Sequence, residues 1–92
     1  MAQSLFRLGR LLATHGALEA LEASNETAVP YLLRHVSGDW GDVDAEDQAA
    51  NNCSVKDGTR ILSAYRLKSG VKIWIITEAD RSATTVLLPD EY

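Results

Sequence analysis

Apolar positions in the first quarter of the chain recur at helical spacing. Leu5, Leu8, Leu11 and Leu12 alternate with Arg7 and Arg10, so the pattern predicts an amphipathic helix over Ser4 to Ala13. Thr14 suits the cap of a second short helix in which Ala17, Leu18 and Leu21 face inward and Glu19 and Glu22 face water, until Ser24 and Asn25 break the pattern. A third helix begins near Pro30, whose missing N–H costs nothing in a first turn. Its stripe is Val29, Leu32, Leu33 and Val36, and Gly38 closes it. After the turn at residues 39–43, Asp44 and Asp47 form an acidic variant of the capping box. A fourth helix then runs to about Asp57, with Gly58 as its stop and Ala49, Ala50 and Cys53 as a small inner face.

Past Gly58 the hydrophobic period shortens to two. The runs Arg60 to Leu67, Val71 to Glu78 and Ala83 to Leu88 each have strand length. Lys68-Ser69-Gly70 suits a three-residue hairpin with Gly70 in the left-handed region, which sets Leu67 against Val71. Counting back puts Tyr65 against Ile73, Ser63 against Ile75 and Ile61 against Thr77 on the core face. Arg66/Lys72, Ala64/Trp74, Leu62/Ile76 and Arg60/Glu78 then lie on the other face. The expected fold is α+β: one domain over residues 1–92, with four short N-terminal helices (1–57) packed on a three-stranded antiparallel β-meander (60–88) and a C-terminal tail (89–92).

Composition sharpens this picture in three places. Hydrophobic residues at 46% with 24% charged belong to a globular chain and exclude a disordered one. The longest uncharged apolar run, Ile73 to Thr77, falls far short of the roughly 20 residues that cross a bilayer, and no basic start or cleavage site marks a signal peptide. A cytoplasmic protein without membrane contact is expected, in which the single Cys53 is a buried structural thiol. The net charge of −4 is local, since Asp39, Asp42, Asp44, Glu46 and Asp47 crowd one segment. That sign argues against duplex DNA as a direct partner, and the helix dipole accounts for the charges at 44–47 as well as a partner would.

Several stretches are similar to a family of small bacterial proteins carried on plasmids and integrated mobile elements, often called plasmid-related protein or labelled type I restriction endonuclease subunit M. They are Arg34-His35 with residues 38–42, Arg60 through Tyr65, Ile75 through Ser82, Thr84 through Pro89, and Glu91-Tyr92. At position 15 the family more often has Pro where this chain has His15. The resemblance implies a role in transfer, maintenance or evasion of host defences. The restriction-subunit label does not fit, because 92 residues cannot hold an adenosylmethionine-binding methyltransferase domain and no glycine-rich loop follows a strand.

Candidate chemistry is sparse. His35, Glu78, Arg81 and Thr84 could supply the base, acid and phosphate-binding cation of a small ribonuclease of the barnase or RelE type, which also places helices before an antiparallel sheet. Against this, His35 adjoins an apolar stripe, Glu78 can pair with Arg60, and Asp80-Arg81-Ser82 reads as a tight turn. His15 and His35 stand far apart without further ligands, so neither a metal nor a cofactor is expected. Trp40 is either a core plug or an exposed anchor, and Trp74 lies on the partly apolar sheet face.

The leading expectation is a non-enzymatic module of a mobile element. It would bind a protein partner through Asp39, Trp40, Asp42, Asp44, Glu46, Asp47 and Trp74, and a homo-oligomer is open. The alternatives are the ribonuclease and an acidic inhibitor that mimics nucleic acid.

Overall fold

The computed structural model describes residues 4–92, so the first three residues of the expected 1–92 domain lie outside the described residues. In chain order the elements are strand β1 (Arg10–Ala13), helices α1 (His15–Ala23), α2 (Val29–Val36) and α3 (Ala45–Asp57), and strands β2 (Ile61–Arg66), β3 (Lys72–Thr77) and β4 (Ala83–Leu87). A 3-10 turn follows at Pro89–Glu91. The four strands form one mixed sheet in the order β1-β4-β3-β2, with β1 parallel to β4 and the other neighbours antiparallel.

The fold is α+β, but four helices on a three-stranded antiparallel meander is corrected, among the described residues, to three α-helices and a four-stranded mixed sheet. The difference lies in residues 4–13, where the leucine spacing predicted a helix. Gly9 sits in the left-handed region at φ 66°, inside the stretch a helix would need. An isolated ten-residue helix is also marginal in water. The free side of β4 offers these residues a full ladder instead, pairing Arg10 to Ala13 with Ala83 to Val86. An added Cβ at Gly9 would lie 2.4 Å from the Arg81 carbonyl oxygen, so only glycine lets the chain turn this close to the β3–β4 connection.

Elsewhere the local signals hold. Thr14 caps α1 by accepting from Ala17 N, Asp44 caps α3 by accepting from Asp47 N, and Gly58 ends α3 at φ 74°. The β2–β3 pairing is the expected one throughout, from Ile61 against Thr77 to Arg66 against Lys72, and Leu67 N donates to Val71 O.

Which helical faces turn inward differs from expectation. In α2 the buried residues are Tyr31, Leu32, His35 and Val36, while Val29 and Leu33 are exposed; Leu18 of α1 is exposed as well. Buried polar contacts made by His35 and the packing of Tyr31 on Tyr65 rotate the α2 stripe by about one position. In α3 the inner residues are Asn51 and Ser54, whereas Ala49, Ala50 and Cys53 face solvent, so the expected buried thiol is exposed.

Ala17, Leu21, Tyr31, Leu32, Tyr65, Leu67, Ile73, Ile75 and Val86 form the core between α1, α2 and one sheet face. The tail folds back on the opposite face. Tyr92 sets its ring edge-on to Trp74, and the Glu91 carboxylate accepts from the Thr14 hydroxyl and Leu88 N.

Candidate functional site

His35 lies in the last turn of α2 and is fully buried. Its Nδ1 is 2.5 Å from Ser63 Oγ on β2 and its Nε2 is 2.9 Å from Thr77 Oγ1 on β3. Thr77 Oγ1 in turn is 2.8 Å from Thr84 Oγ1 on β4, and Thr84 donates to the Leu8 carbonyl at 2.7 Å. Each hydroxyl has one hydrogen, so the direction of the chain follows from its last link. Thr84 gives its hydrogen to Leu8 O and therefore accepts from Thr77, Thr77 accepts from His35 Nε2–H, and the bare Nδ1 accepts from Ser63. The ring is thus the neutral Nε2–H tautomer. Burial, assisted by the positive charge of Arg81, pushes its pKa from 6.5 down to about 4. Phe6 and Trp40 pack edge-on to the ring at centroid distances of 5.3 and 6.0 Å. Both ring nitrogens are engaged inside the molecule.

The other members of the expected catalytic set are placed differently. Thr84 joins His35 through Thr77, as described. Arg81, at φ 60° in the β3–β4 connection, donates to the carbonyls of Thr59 at 2.7 Å and Ser54 at 2.8 Å, which ties that connection to the end of α3. Glu78 is exposed at the end of β3. Its expected partner Arg60 stacks over the Tyr92 ring, 5.3 Å from the centroid.

The acidic segment is bound up with its own chain. Asp39 accepts from Arg34 Nε at 2.7 Å and from Gly41 N, and the Arg34 hydrogen bond holds its carboxyl below the usual carboxylate range. Asp42 lies 4.0 Å from both Arg66 and Lys72, between the two like charges that meet across the β2–β3 rim. Asp44, Glu46 and Asp47 occupy the cap and first turn of α3, where the dipole favours them. Trp40 is 4% exposed and donates from Nε1 to Asn52 Oδ1 at 3.0 Å. Trp74 is half-buried beneath Tyr92.

The two edges of the sheet are treated unequally. On β2, the Asn51 side chain donates to Leu62 O at 2.7 Å and accepts from Leu62 N at 3.2 Å. Two residues on, Ala64 N donates to Trp40 O and Ala64 O accepts from Asp42 N. At Leu62 and Ala64 that edge is closed by a side-chain amide and a short backbone bridge.

On β1 the even-numbered residues face β4, since Arg10 N donates to Ser82 O and Thr14 N to Val86 O. The N–H and C=O groups of Leu11 and Ala13 therefore point away from the sheet, and no described backbone group meets them. Exposed apolar side chains lie along this edge: Leu11 at 55%, Leu12 at 45% and, from α2, Leu33 at 61%, which lines a cleft with Leu11, with Val29 at 58% one turn earlier in the helix. Between strand and helix runs a groove of about 130 Å³ lined by Leu11, Leu12, Ala13, Ala28, Leu32 and Val86.

Comparisons of the chain with protein-family models, with curated proteins and with solved structures found no match. The β1 edge is absent from the sequence-based candidates because Leu5, Leu8, Leu11 and Leu12 are spaced for a helix. Gly9, a helix breaker immediately before Arg10, is the signal that could have found it.

Proposed function

We propose that this chain is a non-enzymatic protein-interaction module of a mobile element and that it binds by accepting an extra strand on β1. The observation that carries the reading is the contrast between the edges: β2 is closed at Leu62 and Ala64 by Asn51 and the 40–42 backbone, while β1 leaves Leu11 and Ala13 without a backbone partner among the described residues, beside exposed leucines. Open edges of this kind are templates for strand addition, with backbone hydrogen bonds giving affinity and flanking pockets giving selectivity. No helix among the described residues is long and apolar enough to cross a membrane, and no group of three or more metal-ligating side chains is found among them.

The surface moves away from the acidic turn because Asp39, Asp42 and Trp40 already have partners in the chain. It moves away from ribonuclease chemistry because a general base needs a free lone pair in reach of substrate, and His35 has neither. The mobile-element context rests on the family resemblance. A photo-crosslinking residue placed at Leu11 in the intact protein should trap protein adducts in expressing cells, and the same residue at the exposed Lys56 should not. Equal trapping at both positions, or none at Leu11, counts against the reading.

A further inference from the structure

Resting on strand addition at β1, we infer that the occupant is a second copy of this chain, joined by antiparallel pairing of β1 with itself about a two-fold axis at Leu12. Only residues whose backbone groups point outward can form hydrogen-bonded pairs across the new edge. Leu11 and Ala13 are the two such residues within β1. Setting Leu11 against Ala13 of the second copy uses all of their groups and makes four symmetric hydrogen bonds, two for each pair. The same register puts Leu12 against Leu12 of the second copy as a closely spaced pair on the tail-covered face.

Charge then selects this register. Arg10 and Thr14 point to the same face as Leu12, and the axis places Arg10 directly opposite Thr14 of the second copy. The Thr14 hydroxyl donates to the Glu91 carboxylate, which lies exposed at that position. Arg10 is exposed and forms no ion pair among the described residues. Pairing therefore brings each free guanidinium to the carboxylate of the other copy, twice over, as an isologous interface requires.

On the helix face, Leu11 and Ala13 of both strands meet beneath Val29 and Leu33 of the two α2 helices. The exposed parts of Leu11, Leu12, Val29 and Leu33 amount to on the order of 400 Å² per copy, about half of the roughly 800 Å² that each partner buries in a standard interface. The strand backbone and the Arg10 stem add to it. An acidic peptide strand would satisfy Arg10 but would leave the Glu91 carboxylate opposite nothing.

The mass in solution tests this. Sedimentation equilibrium of the full chain should give twice the 10.0 kDa of one copy. Two substitutions on this exposed edge should return a single copy with an unchanged circular dichroism spectrum. Leu12→Asp places two carboxylates at the axis, and Leu11→Pro removes a donor that serves no bond among the described residues. Arg10→Glu should weaken association roughly tenfold. A single-copy mass for the parent chain at its highest soluble concentration overturns the dimer, as does a dimer that survives both Leu12→Asp and Leu11→Pro. A single-copy chain that still gives Leu11 adducts with a different protein sinks the dimer while leaving strand addition standing. Absence of those adducts as well removes both.

Discussion

His35 shows what burial does to one titratable side chain. With its pKa lowered from 6.5 to about 4, the unfolded chain takes up the imidazole proton before the folded chain does. Its contribution to stability is therefore complete above pH 6.5 and is lost as pH falls from there through about 4, a window worth about 3 kcal/mol. Urea unfolding should show the folding free energy falling by about 2 kcal/mol between pH 7 and pH 5 from this group; a flat profile there would contradict a neutral buried ring. Cys53 is the opposite case, because the exposed thiol should react with a disulfide reagent in the native protein without denaturant. Neither residue's environment was legible in the sequence. Inwardness along α2 depends on Ser63 and Thr77 arriving from strands 28 and 42 residues away, and inwardness along α3 depends on Asn51 finding Leu62.

Elements inherit these contacts. Asn51→Ala would leave the Leu62 N–H and C=O without partners and would open the second edge of the sheet. A loss of about 1–3 kcal/mol in urea unfolding is expected, with greater light scattering on standing. Gly41→Ala should cost more, since the residue stands at φ 73° and an added Cβ would come 2.1 Å from the Ala64 carbonyl oxygen in the bridge that closes β2. A thermal midpoint within a few degrees of the parent would show the bridge to be dispensable. The hairpin was readable because its turn and its alternation are local and fix one register between them. Strand β1 was not, because four leucines spaced for a helix carry no record of the free β4 edge that captures two of them, Leu11 and Leu12.

Over the whole molecule, the parallel β1–β4 pair ties residues 10–13 to the last strand, and the Thr14–Glu91 bond anchors the tail beside it. Helix α3 stands apart from this closure, with only Asn51 and Ser54 buried among its 13 residues. Its amides should exchange with solvent well before those of β3, which lies between β2 and β4; equal protection would mean that the polar contacts of α3 hold it as firmly as the core holds the sheet. What the sequence determined alone were features whose physics acts within a few residues: the caps Thr14 and Asp44, the stops at Asn25 and Gly58, and the β2–β3 register. Tertiary structure decided whether residues 10–13 coil or extend, which helical faces are buried, and which sheet edge stays open. Those outcomes compare the unpaired backbone of distant segments, and a hydrophobic pattern along one stretch does not encode the partner that satisfies it.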